Sequence, residues 1–211
     1  MQRILEKPRK RCLQSSTSID RVMKMDVKEI AAIAGREVSE IESKVKEEQV
    51  QNLIQAIHNA NKIYVCGAGR SLLMLRCFAM RLMHVGFDAY VVGDTTTPAF
   101  EEGDLLIVGT ASGETSNLIS IAKRAKGYGG TIATCSIFAE SSLGKLADVF
   151  VKIPAYTDKL PVSVENQPNI LPGGSMFEIS MLVLFDSMIL PLAEEKSVAT
   201  NKSFARHANL E

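Results

Sequence analysis

The sequence carries no excess charge of either sign: 24 Lys and Arg offset 24 Asp and Glu over 211 residues. A chain without net charge has no whole-molecule attraction for nucleic acid or for an anionic membrane, so neither is expected as a partner. Long hydrophobic runs are also missing. The most apolar stretch, Met176 to Ala193, is interrupted by Glu178, Ser180, Asp186, Ser187 and Pro191. It falls short of the roughly 20 consecutive apolar residues of a membrane span and reads as a buried helix. No apolar segment follows the basic residues Arg3, Lys7, Arg9, Lys10 and Arg11, so no secretory signal is recognised and a cytoplasmic protein is expected. Cys12, Cys66, Cys77 and Cys135 lie far apart without a C-x-x-C pair, and the three histidines show no metal-ligand spacing. Neither a disulfide framework nor a zinc site is indicated, no metal or other cofactor is expected, and the thiols read as reduced and mostly buried.

What is present is the composition of a globular domain, 46% apolar and 23% charged, in a chain long enough to bury about 70% of its unfolded surface. Residues 1–25 show no hydrophobic periodicity and read as a flexible leader. Helical spacing then begins. Asp26 stands as an N-cap with Glu29 three residues on, and Val27, Ile30, Ile33, Ala34, Val38, Ile41 and Val45 recur on one face. A second stripe, Val50, Leu53, Ile54 and Ile57, completes a helical arm over 26–60.

From Lys62 onward, short apolar runs alternate with helical stretches. Strands are expected at 63–66, 89–92, 105–108, 131–135 and 149–153. Helices are expected near 71–85, 115–128 and 142–146, and a last one at about 175–194. This alternation predicts an α/β fold, a three-layer doubly wound sheet of five parallel strands preceded by the helical arm. Residues 26–195 form one domain in this reading, and 196–211 a tail.

In such a sheet ligands bind beyond the carboxyl ends of the strands. Two strand-end loops are rich in small and hydroxyl residues: Gly67-Ala68-Gly69-Arg70-Ser71, and Gly109-Thr110-Ala111-Ser112-Gly113-Glu114-Thr115. Each precedes a helix, so backbone N–H groups, helix N-termini and the hydroxyls of Ser71, Thr110, Ser112 and Thr115 describe a cradle for an anion. Gly67, Gly69 and Gly113 allow the close approach, and Arg70 brings a positive charge. A dinucleotide fingerprint fails here, because Leu72 stands where G-x-G-x-x-G requires its third glycine.

The pairing of C-G-A-G-R-S (66–71) with S-G-E-T (112–115) resembles the sugar isomerase (SIS) family of phosphosugar-binding domains. More narrowly, the runs 79–84 (A-M-R-L-M-H), 95–99 (T-T-T-P-A), 175–178 (S-M-F-E) and 206–211 (R-H-A-N-L-E) resemble its 6-phospho-3-hexuloisomerase branch. The resemblance covers residue 26 to the end. It implies a flavodoxin-like sheet, a homotetramer with sites shared between subunits, and a phosphorylated ketohexose as substrate. The implied reaction interconverts 3-hexulose 6-phosphate and fructose 6-phosphate in the ribulose monophosphate pathway. Leu72, Leu73 and Leu75 depart from the small residues common in the family, which bears on phosphate approach, and 169–173 departs from its usual Gln-Pro-Met-Gly run, which bears on sugar preference.

Moving a carbonyl between adjacent carbons takes one base to carry a proton through an enediolate. Glu178, in the first turn of an otherwise apolar helix entered through Gly173-Gly174-Ser175, is the candidate. The resemblance adds His207, since related isomerases complete their sites with a histidine from a neighbouring subunit. Two alternatives stand beside the isomerase: a non-catalytic phosphosugar-binding or sensing protein, and an isomerase for another phosphosugar. A sensor needs an effector module, and residues 26–60 offer no basic recognition helix.

Overall fold

The computed structural model describes residues 25–164, 166–196 and 210. The leader at 1–24, most of the tail, His207 and Cys12 therefore lie outside the described residues. Strands β1 (Ile63–Gly67), β2 (Ala89–Val91), β3 (Leu105–Gly109), β4 (Thr131–Ser136) and β5 (Val149–Lys152) form one sheet in the order β2-β1-β3-β4-β5. Every neighbouring pair is parallel.

Alternation along the buried strands divides the core. Ile63, Val65, Leu105, Ile107, Ala133, Cys135 and Val151 face one way, toward α1 (Val27–Glu42), α2 (Glu47–Asn59), α3 (Gly69–His84) and α6 (Ser175–Glu195). Tyr64, Cys66, Leu106, Val108 and Ile132 face the other way, toward α4 (Ser116–Gly127) and α5 (Ser142–Leu146). This is the expected three-layer arrangement, because a parallel sheet is buried on both faces and its crossovers must cover both. Each expected strand and helix is found, with ends displaced by a few residues.

Local chemistry sets several of these boundaries. Asp26 caps α1, its carboxylate accepting the Glu29 N–H at 2.7 Å. Phe78 of α3 stacks on Phe185 of α6 with ring centroids 4.3 Å apart, which fixes those helices side by side. Among the described residues α6 is long and apolar enough to cross a membrane by length and composition. Here it is a core helix, with Met176, Phe177, Met181, Phe185, Met188 and Leu192 each at most 2% exposed.

The arm at 26–60 does not stand apart from the sheet. α2 packs on β5 and β4, and α1 packs on α6, so Val50, Leu53, Ile54 and Ile57 are buried within the chain. Large apolar residues left in solvent include Leu73, Met80 and Met83 on α3, Val183 and Leu190 on α6, and Val27, Tyr128, Val162 and Val164 elsewhere. Burial pushes the Cys66 thiol up to about 11 and the Cys135 thiol up to about 12, so neither supplies a nucleophilic thiolate near neutral pH.

Candidate active site

The chain leaves β1 toward β2 on one side and resumes at β3 on the other, so the crevice beyond β1 and β3 is the topological switch point of the sheet. Both small-residue loops open there, with Gly67 and Gly109 directly paired in register. Leu75 packs beneath them: a Cβ on Gly67 would lie 3.0 Å from its Cδ1, and one on Gly109 2.9 Å from it. The glycines thus let α3 sit close under both loops.

A cleft of about 260 Å³ occupies the crevice, lined in part by Gly69, Arg70, Ser71, Thr110, Thr115 and Glu178. Three helix N-termini reach it, those of α3, α4 and α6, and none has a side-chain cap. Of the helices that start elsewhere, α1 and α5 are capped by Asp26 and Ser141, and α2 has no side-chain cap. Three positive dipole ends at one crevice suit it to an anion, each dipole being able to contribute roughly 0.3–1 kcal/mol.

The second loop is held from behind. Thr110 N–H donates to the Cys135 carbonyl at 3.1 Å, Ile137 N–H to Ala111 at 3.2 Å, and Leu143 N–H to Gly113 at 3.1 Å. The Thr110 hydroxyl accepts the Gly113 N–H and the Ser112 hydroxyl accepts the Glu114 N–H, both at 3.3 Å. Glu114 accepts from the Ser142 N–H at 2.8 Å and from its hydroxyl at 2.7 Å. These two bonds hold its carboxyl below the usual range. Ser112, Gly113 and Gly67 therefore frame the cleft from outside its lining, whereas Thr110 and Thr115 stand in it.

Glu178 and Arg70 meet across the mouth, the Arg70 Nε donating to Glu178 Oε2 at 2.5 Å. The carboxylate side chain is 14% exposed and the guanidinium 59%. A sheltered carboxylate is thus paired with an exposed cation beside the three helix N-termini. The leucine departures do not narrow this space. Leu75 is fully buried under the loops, Leu73 points into solvent, and neither Leu72 nor either of these lines the cleft. Nor does the 169–173 loop line it: both carboxylate oxygens of Glu37 accept the Ile170 N–H, at 3.1 and 3.0 Å, tying that loop to α1.

Thr157, Asp158 and Lys159 also line the cleft, and sequence reasoning passed over them. The signal was available, since they follow β5 as the two loops follow β1 and β3, but no glycine or hydroxyl cluster marked them. A larger depression of about 370 Å³, lined by Glu37, Lys44, Lys152 and Gln167 among others, mixes both signs of charge and has no helix N-terminus on it. No group of three or more His, Cys, Asp or Glu suited to a metal ion occurs among the described residues.

Residues 56–169 match the SIS domain family. The chain is 42% identical over 172 residues to the 3-hexulose-6-phosphate isomerase of Bacillus subtilis, spanning 79% of this chain and 89% of that protein. It is 39% identical over 186 residues to the 3-hexulose-6-phosphate isomerase of Mycobacterium gastri, spanning 88% and 92%. A hypothetical protein of Methanococcus jannaschii, whose crystal structure is described as inferring the function of 3-hexulose-6-phosphate isomerase, superposes with a TM-score of 0.73 at 32% identity. That match covers 87% of this chain and 99% of the other.

Proposed function

This chain belongs to the SIS domain family, and from that premise we propose that it is an isomerase interconverting D-arabino-3-hexulose 6-phosphate and fructose 6-phosphate. The observation that carries the reading is the Arg70–Glu178 pair at 2.5 Å, set beside three uncapped helix N-termini. The phosphate occupies the cradle of α3, α4 and α6 N–H groups with the Ser71, Thr110 and Thr115 hydroxyls. Arg70 is exposed enough to turn from Glu178 toward the substrate, which frees the carboxylate.

Glu178 takes the proton from C2 of the 3-ketose, the electron pair of that C–H bond forms the C2=C3 enediolate, the O2 hydroxyl proton passes to O3, and the carbon-bound proton returns from Glu178 to C3 as the carbonyl forms at C2. The Arg70 guanidinium stabilises the negative charge on the enediolate oxygens. The homologues' names support the substrate, and the ribulose monophosphate pathway and the cytoplasm follow as its setting.

His207, Gly67, Ser112 and Gly113 complete the proposed machinery, the last three as the frame of the cradle. α6 places Glu178 in its first turn and ends at Glu195, about 26 Å farther along the axis at roughly 1.5 Å per residue. The tail at 196–211 therefore starts at the far end of the helix from its own cleft; delivery of His207 to a neighbouring subunit of a homotetramer is proposed on the resemblance to related isomerases.

Fructose 6-phosphate formation from enzymatically generated 3-hexulose 6-phosphate, followed in excess EDTA, tests the assignment. Turnover is the expected result. A folded protein that binds phosphosugars without turnover would replace the isomerase with a binding or sensing role.

A further inference from the structure

The connection between β5 and α6 spans residues 153–174 without a helix or strand of its own, long for a loop inside a domain. One buried side chain organises the part that reaches the cleft. Asn166 is 1% exposed. Its Oδ1 accepts the Thr157 N–H at 2.8 Å, and its Nδ2 donates to the carbonyls of Thr157, Leu160 and Pro161 at 2.9, 3.1 and 3.0 Å. Its backbone exchanges two hydrogen bonds with Ser163, at 3.2 and 3.3 Å. The carboxamide thereby satisfies backbone groups that a helix or sheet would satisfy elsewhere, and it holds 157–161 in one turn.

That turn lines the cleft through Thr157, Asp158 and Lys159, together with Arg70 and Glu178. Asp158 closes against the entry to α6, since a Cβ on Gly173 would stand 3.7 Å from its Oδ2. Lys159 is exposed and forms no ion pair among the described residues. It adds a second cation at the mouth while Arg70 is engaged by Glu178.

The geometry points to Asn166 as a positioning residue of this site: its carboxamide sets the 157–161 turn so that Lys159 faces the phosphate-bearing substrate and contributes to its binding. The inference rests on the cleft being a phosphosugar site. Because the phosphate is the substrate's charged group before reaction and after it, Lys159 acts on ground state and transition state alike, which moves KM and leaves kcat in place.

Asn166→Asp keeps the size and the acceptor but loses the donor and sets a carboxylate against three carbonyls; Lys159→Met removes the charge at nearly constant length. Fructose 6-phosphate affinity by calorimetry and the kinetic constants are measured for wild type, both variants and the double variant. Each single variant is expected to raise Kd and KM about tenfold with kcat within about threefold. The double variant should be no weaker than Asn166→Asp alone, because that substitution has already misplaced the lysine. Trypsin should cut after Lys159 faster in Asn166→Asp, and fructose 6-phosphate should slow this cut in wild type.

Additive effects of the two substitutions, or a folded Asn166→Asp protein with wild-type KM, would overturn the proposal. Should Asn166→Asp fail to fold, wild-type Kd and KM in Lys159→Met overturn it equally. A wild type that binds fructose 6-phosphate without isomerising it removes the isomerase assignment and leaves the Kd comparison to judge Asn166. A wild type that binds no phosphosugar overturns both.

Discussion

Glu178 and Arg70 lie 108 positions apart in sequence and 2.5 Å apart in space. If Glu178 is the base, Glu178→Gln lowers kcat by about 10²–10⁴-fold while the fold and phosphosugar binding persist. Circular dichroism and fructose 6-phosphate calorimetry check the second half of that statement, and near-normal turnover would remove Glu178 from the mechanism. A different carboxyl adds a pH-dependent contribution to stability. Glu42, half-buried at the end of α1, has an Oε1 with no hydrogen-bond partner, and burial raises its pKa from 4.5 to about 7. Between those values the folded chain holds a proton that the unfolded chain has released. Stability therefore falls as pH rises from about 4.5 to about 7, then levels off. Glu42→Gln should abolish this slope and raise stability at pH 8 by on the order of 1 kcal/mol, discounted for partial exposure. Thermal melts at pH 5 and 8 read the difference.

At the scale of elements, function depends on loops held by neighbouring loops. Gly113 sits at φ +70°, and a Cβ there would collide with the Ser141 hydroxyl that caps α5. Gly113→Ala is expected to displace the second anion loop while the sheet behind it survives. Fructose 6-phosphate affinity should fall at least tenfold, about 1.4 kcal/mol, with far-UV circular dichroism unchanged. Unchanged affinity would show that the loop tolerates the shift. The same packing explains how much was legible beforehand. β1, β3 and β4 read clearly because strands buried on both faces must be continuous apolar runs. The two small-residue loops read clearly because close backbone approach demands small residues at strand ends. The Thr157–Lys159 wall did not, since what makes it part of the site is a hydrogen-bonded turn around Asn166, and a lone asparagine in a long loop has no periodicity to betray it.

For the whole molecule, the helical arm packs against the sheet and spends its second apolar stripe there. Part of the apolar surface that remains, Met80, Met83, Val183 and Leu190, lies on α3 and α6. A homotetramer should show a light-scattering mass near four chains, and a monomer at micromolar concentration would contradict it. Removing residues 204–211 should abolish turnover without altering that mass if His207 is delivered between subunits. Unaltered kinetics in the shortened protein would end that role.

The order of strands and helices and the α/β class were determined by the sequence itself, because burial on one face or two imposes a period that any reader of the chain can count. Tertiary structure alone decided which charges meet. It placed Arg70 against Glu178, turned three helix N-termini toward one crevice, and drew Lys159 to its rim through Asn166. Those relations depend on how layers pack across the sheet, and distance between residues far apart in the chain has no signature in local sequence.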